Sequence, residues 1–88
     1  MKNKLLIALL LLGTSNAFAK KNCTDQPKEK WMNETEFKEM AKKQGYTIRK
    51  FKQPGSCYEI YGENKEGRQV EVYFNPVDGN AQKIKYED

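Results

Sequence analysis

Hydrophobic and polar residues alternate along four short stretches in the second half of the chain, as is typical of β-strands. Polar turns separate them at 53–56, 63–67 and 75–79, and the last turn, Asn-Pro-Val-Asp-Gly, strongly favours a chain reversal. Because these connections are short, successive strands are expected to pair as an antiparallel meander. The predicted strands are Tyr46–Lys52, Cys57–Gly62, Gln69–Phe74 and Ala81–Tyr86.

A helix is predicted ahead of the strands, over 34–44. Asn33 is a favourable N-cap, and Glu36 stands three positions later, where its carboxylate can return to the Asn33 amide in a capping box. Gly45 can take the left-handed conformation that commonly ends a helix. Apolar residues at helical spacing predict one buried stripe, formed by Phe37, Met40 and Ala41.

The helical stripe and one face of the sheet together predict the hydrophobic core. A helix laid on one side of an antiparallel sheet is a two-layer α+β domain. We therefore predict one main N-terminal helix packed on a curled antiparallel sheet of three to four strands, with Trp31 at its edge. Alternation assigns to the core face of the sheet Tyr46, Ile48, Tyr58, Ile60, Val70, Val72, Phe74, Ile84 and Tyr86.

The first nineteen residues have the organisation of a cleavable signal peptide. A basic start is followed by the apolar run Leu5–Leu12 and by an Ala-Phe-Ala cleavage motif at 17–19. Such a run spans about 12 Å as a helix, well short of the ~30 Å hydrocarbon core, so no stable membrane anchor is expected after cleavage. The sequence thus predicts a periplasmic protein, or alternatively a secreted one, with an extended lead-in over 20–30 and a domain over 31–88.

Exported proteins meet an oxidising compartment, in which paired cysteines form disulfides. The chain has two cysteines, Cys23 and Cys57, so only one intramolecular bond is available. Closing the long loop between them would stabilise a small domain by about 3–4 kcal/mol on chain-entropy arguments. The lead-in is therefore expected to be tethered to the second strand.

The charge and the composition of the chain argue against several classes of function. The net charge is +4, but Lys2 and Lys4 belong to the predicted signal peptide, and the remaining charges alternate in sign, which does not favour nucleic-acid binding. The chain has no histidine, the commonest general base and metal ligand. We therefore predict no cofactor, no metal site and no catalytic residues.

The sheet face opposite the core is the candidate surface for a partner. Tyrosines there would offer large contact areas at low entropic cost. The same residues can also be read as ordinary sheet stabilisers, through cross-strand pairs such as Arg49–Glu59 and Glu71–Lys83. Glu59 and Glu71 could approach each other, but flanking cations on an exposed face should keep both ionised. The candidate partner-binding residues are Arg49, Phe51, Glu59, Tyr61, Glu71, Tyr73 and Lys83.

Taken in order, these patterns resemble the PepSY domain. The resemblance rests on the strand, polar turn, strand and Asn-Pro-x-x-Gly order of Cys57–Gly79, on the Gly45–Ile48 segment, and on the Lys-Trp-Met entry at 30–32 with paired cysteines. Asn75 stands where Asp is more usual in the family, which keeps the turn chemistry. The chain looks like the small, exported, single-domain members of Gram-negative bacteria.

The resemblance implies a non-catalytic, protein-binding role. Similar domains occur in the propeptides of thermolysin-type metalloproteases, which they inhibit and help to fold, and in membrane-associated sensor proteins. We therefore expect an exported or inner-membrane protein as partner, which a monomer or weak dimer of this chain would bind and would inhibit or modulate. The alternative is a sensing domain that holds a small ligand or peptide on the exposed sheet face.

Overall fold

The computed structural model describes residues 21–87 as one helix and four strands. The predicted signal peptide at 1–19 lies outside the described residues. A 3₁₀ turn at Lys28–Lys30 leads to the helix, and every predicted element is present within one residue of its predicted bounds. The elements are helix α1 (Glu34–Lys43) and strands β1 (Thr47–Lys52), β2 (Tyr58–Glu63), β3 (Gln69–Phe74) and β4 (Ala81–Tyr86).

Helix α1 begins and ends as its sequence predicts. The Glu36 amide donates to Asn33 Oδ1 at 2.8 Å, and the Asn33 amide donates to a Glu36 carboxylate oxygen at 3.4 Å, which completes the capping box. Gly45 follows the helix with a φ of 101°, the left-handed conformation that a Cβ atom disfavours. The helix is therefore bounded by local chemistry at both ends.

The four strands form an open antiparallel sheet in the order β1-β2-β3-β4. The pairing of β2 with β3 is regular, from Tyr58 opposite Phe74 to Glu63 opposite Gln69. A register shift interrupts β1 between Ile48 and Lys50. The molecule is therefore an α+β domain in which one helix packs on an antiparallel meander.

Phe37 of α1 lies at the centre of the core. The centroid of its ring lies 4.9 Å from those of Tyr58 and Phe74, and 5.9 Å from that of Phe51. The β2 and β3 side chains that face the helix are buried, and the alternation of side-chain direction places all of them on one face of the sheet. The buried core cluster consists of Phe37, Tyr58, Ile60, Val70, Val72 and Phe74.

The prediction that Ile84 and Tyr86 complete the core is wrong. Both side chains face the helix side of the sheet, opposite Val72 and Val70, but they are 41% and 52% exposed. The reason is that α1 lies over the β1 side of the sheet, so among the described elements β4 contacts only β3. An apolar pair therefore stays uncovered along one edge of the molecule.

The turn at 75–79 packs closely under the helix. The Met32 amide donates to the Pro76 carbonyl at 2.8 Å, and the Gly79 amide donates to the Asn75 carbonyl at 2.8 Å. Gly79 is buried with a φ of 77°, and a Cβ built there would lie 2.3 Å from the sulfur of Met40. Glycine is thus required at 79 by both backbone conformation and space.

Candidate functional site

The outer face of the sheet, which is the face directed away from α1, is the candidate site. Four predicted residues meet at its centre, on the paired strands β2 and β3. Glu59, Glu71 and Tyr73 are buried there, whereas Tyr61 is half-buried. Arg49 and Lys83 lie exposed at the margins of this face, on strands β1 and β4. The face is therefore largely a closed cluster rather than a row of exposed aromatic rings.

The prediction that Phe51 shares this face is wrong. Phe51 pairs with Ile60 and packs on the helix side, with its ring 5.1 Å from that of Tyr58. The cause is the bulge in β1, where Arg49 is an extra residue between Ile48 and Lys50. A single inserted residue reverses the direction of every side chain that follows it in a strand.

The same bulge turns two lysines onto the outer face. Lys50 lies opposite Tyr61 and Lys52 opposite Glu59 in the sheet register. Their ammonium nitrogens lie 5.7 and 5.5 Å from the centroid of the Tyr61 ring, within the range of cation–π attraction. Because of the bulge, the outer face carries two lysines at the β1 positions next to Tyr61, where Phe51 was expected.

Glu71 is the centre of the buried cluster. One of its carboxylate oxygens accepts hydrogen bonds from the phenols of both Tyr61 and Tyr73, at 3.0 and 2.9 Å. Its other oxygen lies 3.6 Å from Lys85 Nζ. The hydrogen bond with Glu71 is the largest cause that raises the pKa of Tyr61 to about 12. The phenols therefore act as donors to a fixed carboxylate.

Glu59 lies beside Glu71 and is only 4% exposed. Burial and the hydrogen bond with the Glu71 carboxyl group raise the pKa of Glu59, whereas the same hydrogen bond lowers the pKa of Glu71. The two carboxyl groups are thus driven in opposite directions, with the neutral form favoured at Glu59 and the charged form favoured at Glu71. One oxygen of Glu59 has no hydrogen-bond partner among the described residues. Arg49 does not reach this cluster and pairs instead with Glu63 at 2.7 Å.

A frame of lysines surrounds the cluster. Lys21 lies 4.8 Å above the Tyr73 ring, while Lys50 and Lys52 flank Tyr61 on the other side. Both carboxyl groups at the centre of the cluster are buried, so the accessible charge around it is mainly that of the exposed basic side chains. The exposed cations on or beside the outer face are Arg49, Lys50, Lys52, Lys83 and Lys85.

The predicted disulfide is confirmed and helps to close this face. Cys23 and Cys57 are bonded, with Cα atoms 5.0 Å apart, and both pack with the buried ring of Tyr73. Ser56 ties down the same segment, since its hydroxyl accepts from the amides of Cys23 and Thr24 at 2.9 and 3.2 Å. The lead-in is thus part of the folded domain and covers one end of the cluster.

Two further features of the described residues bear on the chemistry. Between 21 and 87, no group of three acidic, cysteine or histidine side chains is placed to hold a metal ion, and no helix has the length and apolar character to cross a bilayer. A pocket of about 180 Å³ opens beside Tyr61, between Arg49 and Gln69. Pockets that hold small molecules usually measure about 300–1,000 Å³.

The fold and the face define the chain as a small α+β module with a closed polar cluster under a basic surface. The family model for the peptidase propeptide and YPEB domain, PepSY_2, matches residues 3–85. The chain therefore belongs to this PepSY family, whose members are propeptide and regulatory modules. Neither a curated protein nor a solved structure matches the chain at a significant level.

Sequence reasoning missed the roles of Lys50, Lys52 and Lys85. A signal for the first two was present, because Ile48 and Phe51 are three positions apart and cannot share one face of a regular strand. A bulge in the intervening Arg-Lys pair resolves that conflict. Burial of Glu59 had no comparable local signal, because it depends on packing with the neighbouring strand.

Proposed function

We propose that this protein is a non-catalytic module that binds another exported protein through the outer face of its sheet and modulates that protein's activity. Membership of a family of propeptide and regulatory domains supports this role. The buried cluster supports the non-catalytic part, because Glu71 already accepts two phenols and lies under covered surface, out of reach of a substrate. The proposed site of action is the periplasm.

The observation that carries the proposal is the charge of the accessible surface. Glu59, Glu71 and Tyr73 at the centre of the face are buried, so a partner meets the lysine frame first. A basic frame of this kind favours an acidic partner surface, because complementary charge accelerates association and excludes partners of like charge. The small pocket beside Tyr61 does not favour the small-ligand alternative, since its volume is below the usual range.

Crosslinking capture from periplasmic and inner-membrane extract tests this proposal. The mature, oxidised protein should enrich one acidic partner, and Lys50→Gln with Lys52→Gln should reduce its capture severalfold. The matched control is Lys42→Gln with Lys43→Gln, which removes the same charge from the exposed last turn of α1. Equal capture by both double variants would remove the outer face from the binding site.

A second measurement separates binding from modulation. If the captured partner is a protease, its rate of peptide hydrolysis should fall when the purified protein is added in stoichiometric amounts. The lysine double variant should require a higher concentration for the same effect. If the activity of the partner is unchanged when it is saturated with this protein, the protein binds its partner without modulating it.

A further inference from the structure

We propose that β4 is an acceptor edge, to which the partner adds an extended segment of alternating acidic and apolar residues. This inference rests on the proposed protein-binding function and names the chemistry of the segment that is bound. Three features of β4 carry it: an unpaired backbone, an uncovered apolar row and a row of lysines.

The backbone of β4 has one unpaired side. The Glu87 amide donates to the Gln69 carbonyl at 3.0 Å, which fixes the alternation of hydrogen-bonded and non-hydrogen-bonded pairs along this ladder. The amides and carbonyls of Ile84 and Tyr86 consequently point away from β3. Among the described elements, only β3 contacts β4, so this side of the strand is open for a further strand.

The side chains of β4 form two rows of opposite character. Ile84 and Tyr86 project on the helix side and remain 41% and 52% exposed, with the Arg68 guanidinium 4.1 Å from the centroid of the Tyr86 ring. Lys83 and Lys85 project on the outer face, opposite Tyr73 and Glu71. An added strand would place its alternate residues beside these two rows. Apolar residues would cover the first row, and carboxylates would complement the second.

A second copy of this chain fits the edge poorly. In an antiparallel pair of two β4 strands, the lysine rows of both copies would lie on the same face and next to each other. Like charges directly across a strand pair are destabilising, and lysines on an edge are a common means of preventing self-association. The charge pattern therefore favours an acidic segment from a different protein.

The opposite edge of the sheet is a poorer acceptor. Strand β1 is interrupted by the bulge at Arg49, and α1 packs over its apolar side, where Phe51 lies against Phe37. A bulge disrupts the ladder and twists an edge away from pairing. β4 has a regular register over 83–86, so it is the edge that can extend the sheet.

Residue-resolved amide exchange with a synthetic probe tests the inference. The probe is a short, capped peptide of alternating glutamate and valine. At about ten times its Kd, this peptide should slow exchange of the Ile84 and Tyr86 amides about tenfold, because binding protects only the amides that point outward. The Lys83 and Lys85 amides, already bonded to β3, should change little.

Two control peptides address charge and backbone separately. A lysine–valine peptide keeps the apolar row but reverses the charge, and it should bind at least tenfold more weakly. A glutamate–valine peptide that is N-methylated at every second residue should not protect these amides, because it cannot form the ladder. Equal protection by either control would overturn the inference.

Ile84→Pro provides the matching change in the protein. Proline removes an amide that points away from β3, so the internal ladder is kept and the fold should survive, as circular dichroism can verify. Peptide binding should be lost. If this variant does not fold, the N-methylated peptide still decides the question.

The remaining outcomes separate this inference from the proposed function. Sedimentation showing a dimer with protected Ile84 amides would assign the edge to a second copy and overturn the inference. Partner capture that depends on Lys50 and Lys52, without protection of β4 amides by the bound partner, would overturn it while leaving the proposed function intact. If the peptide protects the β4 amides but no partner is captured from extract, β4 is supported as an acceptor edge, and the result counts against the proposed function.

Discussion

Glu59 occupies an environment that suits its neutral form and not its charged form. It is buried next to Glu71, and one of its oxygens has no hydrogen-bond partner in the described part of the chain. A buried carboxylate without compensation is costly, so burial raises the pKa of Glu59. The two tyrosines and Lys85 stabilise the negative charge on Glu71 instead. Identical side chains thus play different roles because their contacts differ.

This arrangement predicts a particular pH dependence of stability. Because the pKa of Glu59 is raised in the folded protein, protonation of Glu59 stabilises the fold fully below the ordinary glutamate pKa of about 4.3. This stabilisation is lost as the pH rises through the raised pKa. Glu59→Gln is neutral at every pH, so its unfolding free energy should not show this loss. Each unit of pKa elevation corresponds to about 1.4 kcal/mol.

Urea denaturation between about pH 4 and 8 measures this difference. The gap between Glu59→Gln and the wild type should grow in favour of the variant toward pH 8. Glu66→Gln, in the exposed turn before β3, is the control and should follow the wild type. Parallel curves for Glu59→Gln and the wild type would contradict a raised pKa for Glu59 in the folded protein.

Two glycines allow backbone strain to be separated from crowding. Gly67 and Gly79 have φ values of 83° and 77°, but a Cβ at Gly67 meets no atom within 4 Å, whereas one at Gly79 approaches Met40. Gly67→Ala should cost about 1–2 kcal/mol from the left-handed conformation alone. Gly79→Ala should cost about 1–3 kcal/mol more, because the turn must move away from the helix. Equal losses in chemical denaturation would contradict the close packing at 79.

At the scale of elements, the β1 bulge decides which side chains reach which face. Arg49 is the extra residue, so the segments on either side of it keep their apolar side chains, Ile48 and Phe51, on the helix side. Without the bulge, Phe51 would lie on the outer face, and Lys50 and Lys52 would lie on the helix side. The single bulge residue therefore determines that Phe51 joins the core and that Lys50 and Lys52 lie on the outer face.

Deletion of Arg49 tests this view of β1. The deletion leaves Ile48, Lys50 and Phe51 in strict alternation, so the fold should be retained with only a small loss of stability from the exposed pair with Glu63. Deletion of Glu71 is the contrasting change. It would turn the following core residues of β3 to the outer face, so the protein should not fold. Unfolding by both deletions would contradict the assignment of Arg49 as a removable bulge residue.

At the scale of the whole molecule, the disulfide joins the lead-in to the sheet. It closes a long loop in a small domain, where few apolar side chains are fully buried, so its contribution is a large fraction of total stability. Ser56 and Lys21 add hydrogen bonds at the same place. Reduction should therefore loosen the cover over Tyr73 as well as lower the stability of the domain.

Thermal unfolding of oxidised and reduced protein checks this expectation. Loss of about 3–4 kcal/mol should lower the Tm by roughly 10 °C or more in a domain of this size. The Cys23→Ser, Cys57→Ser double variant should melt near the reduced protein and be unaffected by reductant. An unchanged Tm on reduction would show that the bond does not stabilise the fold.

The sequence by itself determined the features that local chemistry controls. The capping residues bound the helix, the turn residues bound the strands, and the short turns imposed their antiparallel order, since each effect acts within a few positions. The single available cysteine pair likewise determined the disulfide. All of these predictions are confirmed.

Only the tertiary structure decided how those elements share their surfaces. The position of α1 over β1 leaves Ile84 and Tyr86 uncovered, and the bulge at Arg49 sends Phe51 to the core. Glu59 becomes buried beside Glu71 and Tyr73 of the neighbouring strand, a contact that forms only when the sheet assembles. Burial and register depend on the whole arrangement of the chain, so the charge and the accessible edge of the candidate site follow from packing and not from local pattern.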